Sequence, residues 1–178
     1  MCLQNFRTRL DTLAGHFFVL RGENRRKMEL ADISLLEYPR QEGPTPCFAL
    51  IFLLSNGKTN KTGKRQFMGA MRHRDPLLCT MGALAQYLFW RWHISGEQPP
   101  SFQRRQDWYR TKMLVGRDKS EEISYPTQLD DIYHAFVEAG ITSIKKTHAM
   151  RGCGARGAEL HGVSERQVSL APFSSNIY

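Results

Sequence analysis

The sequence predicts a mainly α domain with a small β-sheet near its middle. Three observations carry that reading. Apolar residues recur at three- and four-residue steps in segments at both ends of the chain. A single continuous apolar run, residues 47–54, sits between turn residues. A second strand-like run follows it after two turn signals, Asn56-Gly57 and Thr62-Gly63. The 178 residues, 41% hydrophobic and 11% aromatic, are enough for one core.

The elements follow in order. Leu3, Phe6, Leu10, Leu13, Phe17 and Phe18 place a helix over residues 3–18. A short second helix is expected over 23–30, then a strand over 32–38. Pro39, Gly43, Pro44 and Pro46 break the chain before the strand at 48–54. The hairpin after it carries Lys58, Lys61 and Lys64. The clearest helix is predicted over 76–93, with Asp75 as cap and Pro76 in the first turn. Its apolar face would be Leu77, Met81, Leu84, Ala85, Leu88, Phe89 and Trp92. A short strand is expected over 108–115. Leu129, Ile132, Tyr133 and Phe136 mark a helix over 127–139, stopped by Gly140. Further helices are expected over 147–160 and 164–168. Trp90, Trp92 and Trp108 read as core residues, with an interface as the alternative.

The charge balance is 25 Lys+Arg against 17 Asp+Glu, a net +8. Signs are segregated along the chain. Lys58, Lys61, Lys64, Arg65, Arg72 and Arg74 stand without an acid among them, as do Lys145, Lys146, Arg151 and Arg156. Such blocks suit a polyanionic partner, with nucleic acid first and an anionic membrane surface second. The four cysteines, Cys2, Cys47, Cys79 and Cys153, form no CxxC pair, so neither a metal site nor a cofactor is expected. No secretory leader is evident, and the longest apolar stretch is far shorter than the roughly 20 residues needed to span a bilayer. The expected compartment is reducing, cytosol or nucleus.

Two local patterns could carry chemistry. His148 and Arg151 form an HxxR pair, one turn apart on a helix, able to grip one phosphate together. Alone, the pair reads more readily as two solvated polar groups on an amphipathic helix. Phe17-Phe18-Val19-Leu20 runs into Arg21, an arginine behind a hydrophobic stretch, which alone reads as an exposed residue after a helix end.

Taken together, the order apolar run–Arg, apolar strand, Lys hairpin, long helix and HxxR resembles the catalytic domain of tyrosine recombinases and integrases. Arg21 and Asp32 match the family's GLR…D spacing, and Lys58-Thr59-Asn60-Lys61 is similar to its GK-x-N-K turn. The strings NGKTNKTGKRQFMGAMRHRDPLLCTMGALAQYLFWRWH, RQDWY, KKTHAMRGCGAR and AELHGVSERQV resemble the domain-II family of the fungal centromere-binding protein Ndc-ten, also related to Crypton-type mobile elements. That resemblance implies residues 1–168 as a recombinase-like DNA-binding domain and 169–178 as a divergent or truncated tail. It implies Arg21 as the first arginine, His148 and Arg151 as the second pair, and one of Lys58, Lys61 or Lys64 as the lysine. Which lysine stays open.

The match weakens after Val168. No Gly-Arg-Trp turn follows, Pro172 disfavours a helix there, and Tyr178 lies nearer to Arg151 than the family spacing. Arg21, His148, Arg151 and Tyr178 are therefore read as vestigial catalytic candidates. The expected function is nuclear, non-catalytic gripping of double-stranded DNA through Arg21, Lys58, Lys61, Lys64, Arg65, His148 and Arg151. No membrane partner is expected, and a homodimer or larger DNA-bound complex is left open. The alternatives are an active Crypton-type recombinase engaged in DNA recombination, or a protein-interaction remnant.

Overall fold

The computed structural model describes residues 2–38, 47–54 and 65–163. Among them, five α-helices surround a three-stranded antiparallel sheet. Helix α1 spans Leu3–Phe17 and α2 spans Gly22–Lys27. Strands β1 (Ile33–Tyr38), β2 (Cys47–Leu54) and β3 (Gln66–Met71) pair in that order. Helix α3 covers Thr80–Phe89 and runs on into a π-helical turn, Trp90–Ile94. Helices α4 (Tyr125–Glu138) and α5 (Lys146–Leu160) complete the fold. The predicted class, mainly α with a small sheet, is what the chain adopts.

The core forms where α1, α3 and one face of the sheet meet. Leu10, Ala14, Phe18 and Leu20 pack with Leu50 and Phe52 of β2, Ala83, Leu84 and Tyr87 of α3, and the extended segment Met113-Leu114-Val115. Phe18 stacks on Phe52 with ring centroids 4.2 Å apart. The register fixes which strand residues face inward: Phe52 lies opposite Ile33 and Met68, while Ala49 lies opposite Leu36 and Met71 on the other face.

Three elements differ from expectation. The long helix begins at Thr80, four residues late. Asp75 does cap, but it caps the preceding turn by accepting the Leu77 N–H at 2.8 Å. Cys79 caps α3 itself through its sulfur. The buried face is Thr80, Ala83, Leu84 and Tyr87, continued by Arg91, while Leu77, Ala85 and Phe89 are exposed. The helical period is right and the chosen face is rotated. The phase is set by Tyr87, whose hydroxyl accepts the Val115 N–H, and by Arg91, paired with Glu97 and bonded to the Lys112 and Met113 carbonyls. The expected strand at 108–115 makes only isolated bridges, Glu29 with Lys112 and Val115 with Glu122. The second helix ends at Lys27, and Leu30–Asp32 follows as a 3-10 turn.

The three tryptophans are half-buried, Trp90 against Phe6 and Trp92 against Phe102, which in turn touches Trp108. The hairpin tip with Lys58, Lys61 and Lys64, the helix expected at 164–168, and the tail with Tyr178 lie outside the described residues.

Helix α5 crosses α1 at very close range. A Cβ on Gly154 would fall inside the contact shell of the His16 carbonyl oxygen, and one on Gly15 would lie 3.0 Å from Met150 Cβ. Backbone meets backbone here, so neither side can yield by a rotamer change. Gly154→Ala is expected to destabilise the chain by about 1–3 kcal/mol through overpacking. Urea denaturation measures this, with Gly152→Ala as the contrast, since a Cβ at Gly152 meets nothing within 4 Å.

Candidate nucleic-acid interface

The turn between α1 and α2 is the first component of the site. Phe18 and Leu20 are both buried, and Val19 between them adopts φ 53°. A β-branched residue in the left-handed region costs about 1–3 kcal/mol, which the flanking burial offsets. The next residue, Arg21, precedes α2 and is half-buried.

Beneath that turn lies a buried polar network. Arg25, fully excluded from solvent, donates from Nε to Asp11 Oδ1 at 2.6 Å and from Nη1 to the Leu20 carbonyl at 2.7 Å. Gln128 of α4, also fully buried, donates from Nε2 to both Asp11 oxygens at 2.9 and 3.0 Å. Its Oε1 accepts from Arg26 Nη1 at 2.7 Å. Gly22 is what admits Gln128: a Cβ there would stand 3.1 Å from Oε1. Helices α1, α2 and α4 are thereby held together directly under Arg21. A second ion pair, Arg7 with Asp131 at 2.8 Å, joins α1 to α4 further along.

Helix α5 supplies the other side. Thr147 is buried, His148 is exposed and Arg151 is half-buried. Arg21, His148 and Arg151 line one open pocket of about 690 Å³, with Glu23 and Arg26 of α2 and Tyr125 of α4 on its rim. Burial, and then the nearby charge of Arg21, lowers the Arg151 pKa from its ordinary value. A guanidinium nonetheless stays protonated in a protein. Two guanidinium groups lining one pocket can seat an anion. Glu23 also belongs to this rim and forms an ion pair with Lys27 at 2.6 Å.

The structure therefore brings together three residues singled out in the sequence, Arg21, His148 and Arg151. Asp32 stands apart. Its carboxylate accepts the Glu29 N–H in the 3-10 turn, and burial raises its pKa. Arg65 is exposed just before β3. Lys58, Lys61, Lys64 and Tyr178 lie outside the described residues. Sequence reasoning missed Asp11, Arg25, Arg26, Tyr125 and Gln128. Asp11 offered one signal, as an acid among the apolar positions of α1. Among the described residues, no group of three or more His, Cys, Asp or Glu could hold a metal ion, and no helix is long and apolar enough to cross a membrane.

This arrangement of helices and sheet is the fold of a tyrosine recombinase catalytic domain. The structure is similar to that of the XerH site-specific recombinase bound to its difH substrate in a pre-cleavage complex, with a TM-score of 0.61 and 14% identity. The likeness covers 96% of this chain, which spans 40% of the XerH chain. More particularly, the chain belongs to the family of domain 2 of the centromere DNA-binding protein complex CBF3 subunit, which matches residues 1–175. No curated protein sequence matches it.

The Asp11–Arg25 pair generates a prediction. Asp11→Ala leaves the Arg25 guanidinium buried without its counter-charge and is expected to cost about 3–5 kcal/mol. The measurement is the urea midpoint at constant slope. A loss below about 1 kcal/mol, the scale of an exposed pair, would show that water reaches Arg25.

Proposed function

We propose that this chain is a DNA-binding module that holds the phosphate backbone of duplex DNA in the Arg21–His148–Arg151 pocket, without cutting it. The observation that carries this reading is the convergence of two arginines and a histidine, from opposite ends of the described chain, on one open pocket. Arg21 and Arg151 present planar forks that match phosphate oxygens, and His148 adds a single donor. The net charge of +8 supports a polyanionic partner.

The family is that of a subunit domain from a centromere DNA-binding complex, which supports binding over strand transfer and a nuclear site of action in this reading. The basic residues Lys58, Lys61, Lys64 and Arg65 extend the same grip. Residues 1–168 form the DNA-binding unit in this reading, and 169–178 are a divergent tail. Several copies on one DNA fit the same reading, and sedimentation of the DNA-bound chain reports their number.

A second reading, strand transfer, is favoured by the likeness to a recombinase captured in a pre-cleavage complex. It requires a tyrosine at the pocket, Tyr178 or one from another chain, to attack the phosphate that the cations hold.

Binding is tested on a fluorescent duplex across a salt series. Affinity is expected to fall log-linearly with salt, and Arg21→Ala or Arg151→Ala to make the slope shallower by about 0.9 each. Wild-type binding that ignores salt would overturn the proposal. A nicked suicide duplex separates the two readings: no covalent protein–DNA adduct is expected. An adduct that disappears in Tyr178→Phe would establish strand transfer instead.

A further inference from the structure

We infer that Arg26 forms a second phosphate seat in the same pocket, so that the site spans two phosphates of one strand. The inference rests on the phosphate-binding reading above and adds a residue to it.

The observation is how Arg26 is held. Gln128 is fully buried, and its Nε2 is committed to the two oxygens of Asp11. An amide that donates on one side must accept on the other, so Oε1 is turned toward α2. There it takes Arg26 Nη1 at 2.7 Å. The guanidinium carbon of Arg26 also lies 5.4 Å from the centroid of the Tyr125 ring. One hydrogen bond and one ring face fix the fork. The Gln128 bond occupies one of the five donors that a guanidinium carries, and the side chain lines the pocket.

Most surface arginines lose rotamer freedom when they bind, which weakens the binding they contribute. Arg26 is already oriented in the free protein, and the Asp11–Arg25 pair behind Gln128 holds the orientation. The Tyr125 hydroxyl, on the same rim, is a further donor for a phosphate oxygen.

The anchoring argues for two seats. Arg21 precedes α2 and shares the pocket with Arg151 of α5. Arg26 lies five residues further along, inside α2, and is tied to Gln128 and Tyr125 of α4. Successive phosphates of a strand advance by about 3.4 Å along the duplex axis while also turning around it, so cations anchored on two different helices suit neighbouring phosphates better than a shared one.

The test is the salt dependence of duplex binding by the whole chain and its Arg21→Ala, Arg26→Ala and double variants, each checked for folding by thermal denaturation. Two seats predict that each single change makes the slope shallower by about 0.9 and the double change by about 1.8. If Arg26→Ala leaves the slope unchanged while Arg21→Ala lowers it, the second seat is overturned and the phosphate pocket stands. A double variant no shallower than either single one would also overturn it, since both arginines would then share one phosphate. If neither single change alters the slope, the phosphate-binding reading itself fails. Should Arg26→Ala unfold, Arg26→Gln removes the charge with less loss of volume, and the same slopes decide.

Discussion

The geometry of the pocket depends on one carboxylate that never sees solvent. Asp11 receives the Nε of Arg25 and the amide of Gln128, and so joins three helices at one point. Desolvating an ion pair costs several kcal/mol per ion, and a well-packed apolar substitute is often as stable. Stability alone therefore does not account for this network. What an apolar cluster lacks is direction. The carboxylate fixes the plane of the Arg25 guanidinium, whose Nη1 then holds the Leu20 carbonyl and with it the turn that delivers Arg21. It also fixes the rotation of Gln128, which decides that an oxygen faces Arg26. A binding group is useful only when its supporting side chains leave it one place to be.

A second constraint acts at the crossing of α1 and α5. Residues near 20 and near 150 can share a pocket only if two helices from opposite ends of the chain come close together. Glycine at 15 and 154 permits that approach by letting one backbone lie on the other. The same α1 residues that meet α5 on one side neighbour Leu10, Ala14 and Phe18 in the core. The pocket is thus coupled to the core through a single helix. The strained Val19 lies in the same turn, between the buried Phe18 and Leu20.

Helix periodicity was legible where a stripe of large apolar residues faced the core, as in α1. It misled in α3. Leu77, Ala85 and Phe89 look like a core face, yet the buried face is organised by Thr80, Tyr87 and Arg91. Tyr87 and Arg91 outweigh hydrophobicity there because they satisfy backbone groups in the segment 112–115, and no single-residue scale reads such a partnership. The site shows the same division. Arg21, His148 and Arg151 could be picked out because local motifs and a family resemblance both pointed to them. Arg25 and Arg26 sit side by side in Asn-Arg-Arg-Lys, which reads as a solvated charge run. One of the two is fully buried against Asp11 and the Leu20 carbonyl and the other is half-buried against Gln128 of α4, partners that the local sequence does not reveal.

The pocket holds like charge. Arg21 and Arg151 line it together, and burial, then the charge of Arg21, lowers the Arg151 pKa. An anion entering the pocket would offset that charge. The same arrangement stabilises the charge that develops on a phosphate under attack, which explains how one set of cations can serve either a recombinase or a binding module. The difference between them is a nucleophile held rigidly at the phosphate, and a displacement of about an ångström can cost a hundredfold in rate. In the binding reading proposed above, a chain that relaxes that requirement would keep its affinity for DNA, because the fixed cations and not the tyrosine would supply it. Phosphate contacts position a duplex without reading its sequence. Selectivity for a particular site would then come from groups that reach the bases or from the shape of the DNA itself, and from neither arginine in the pocket.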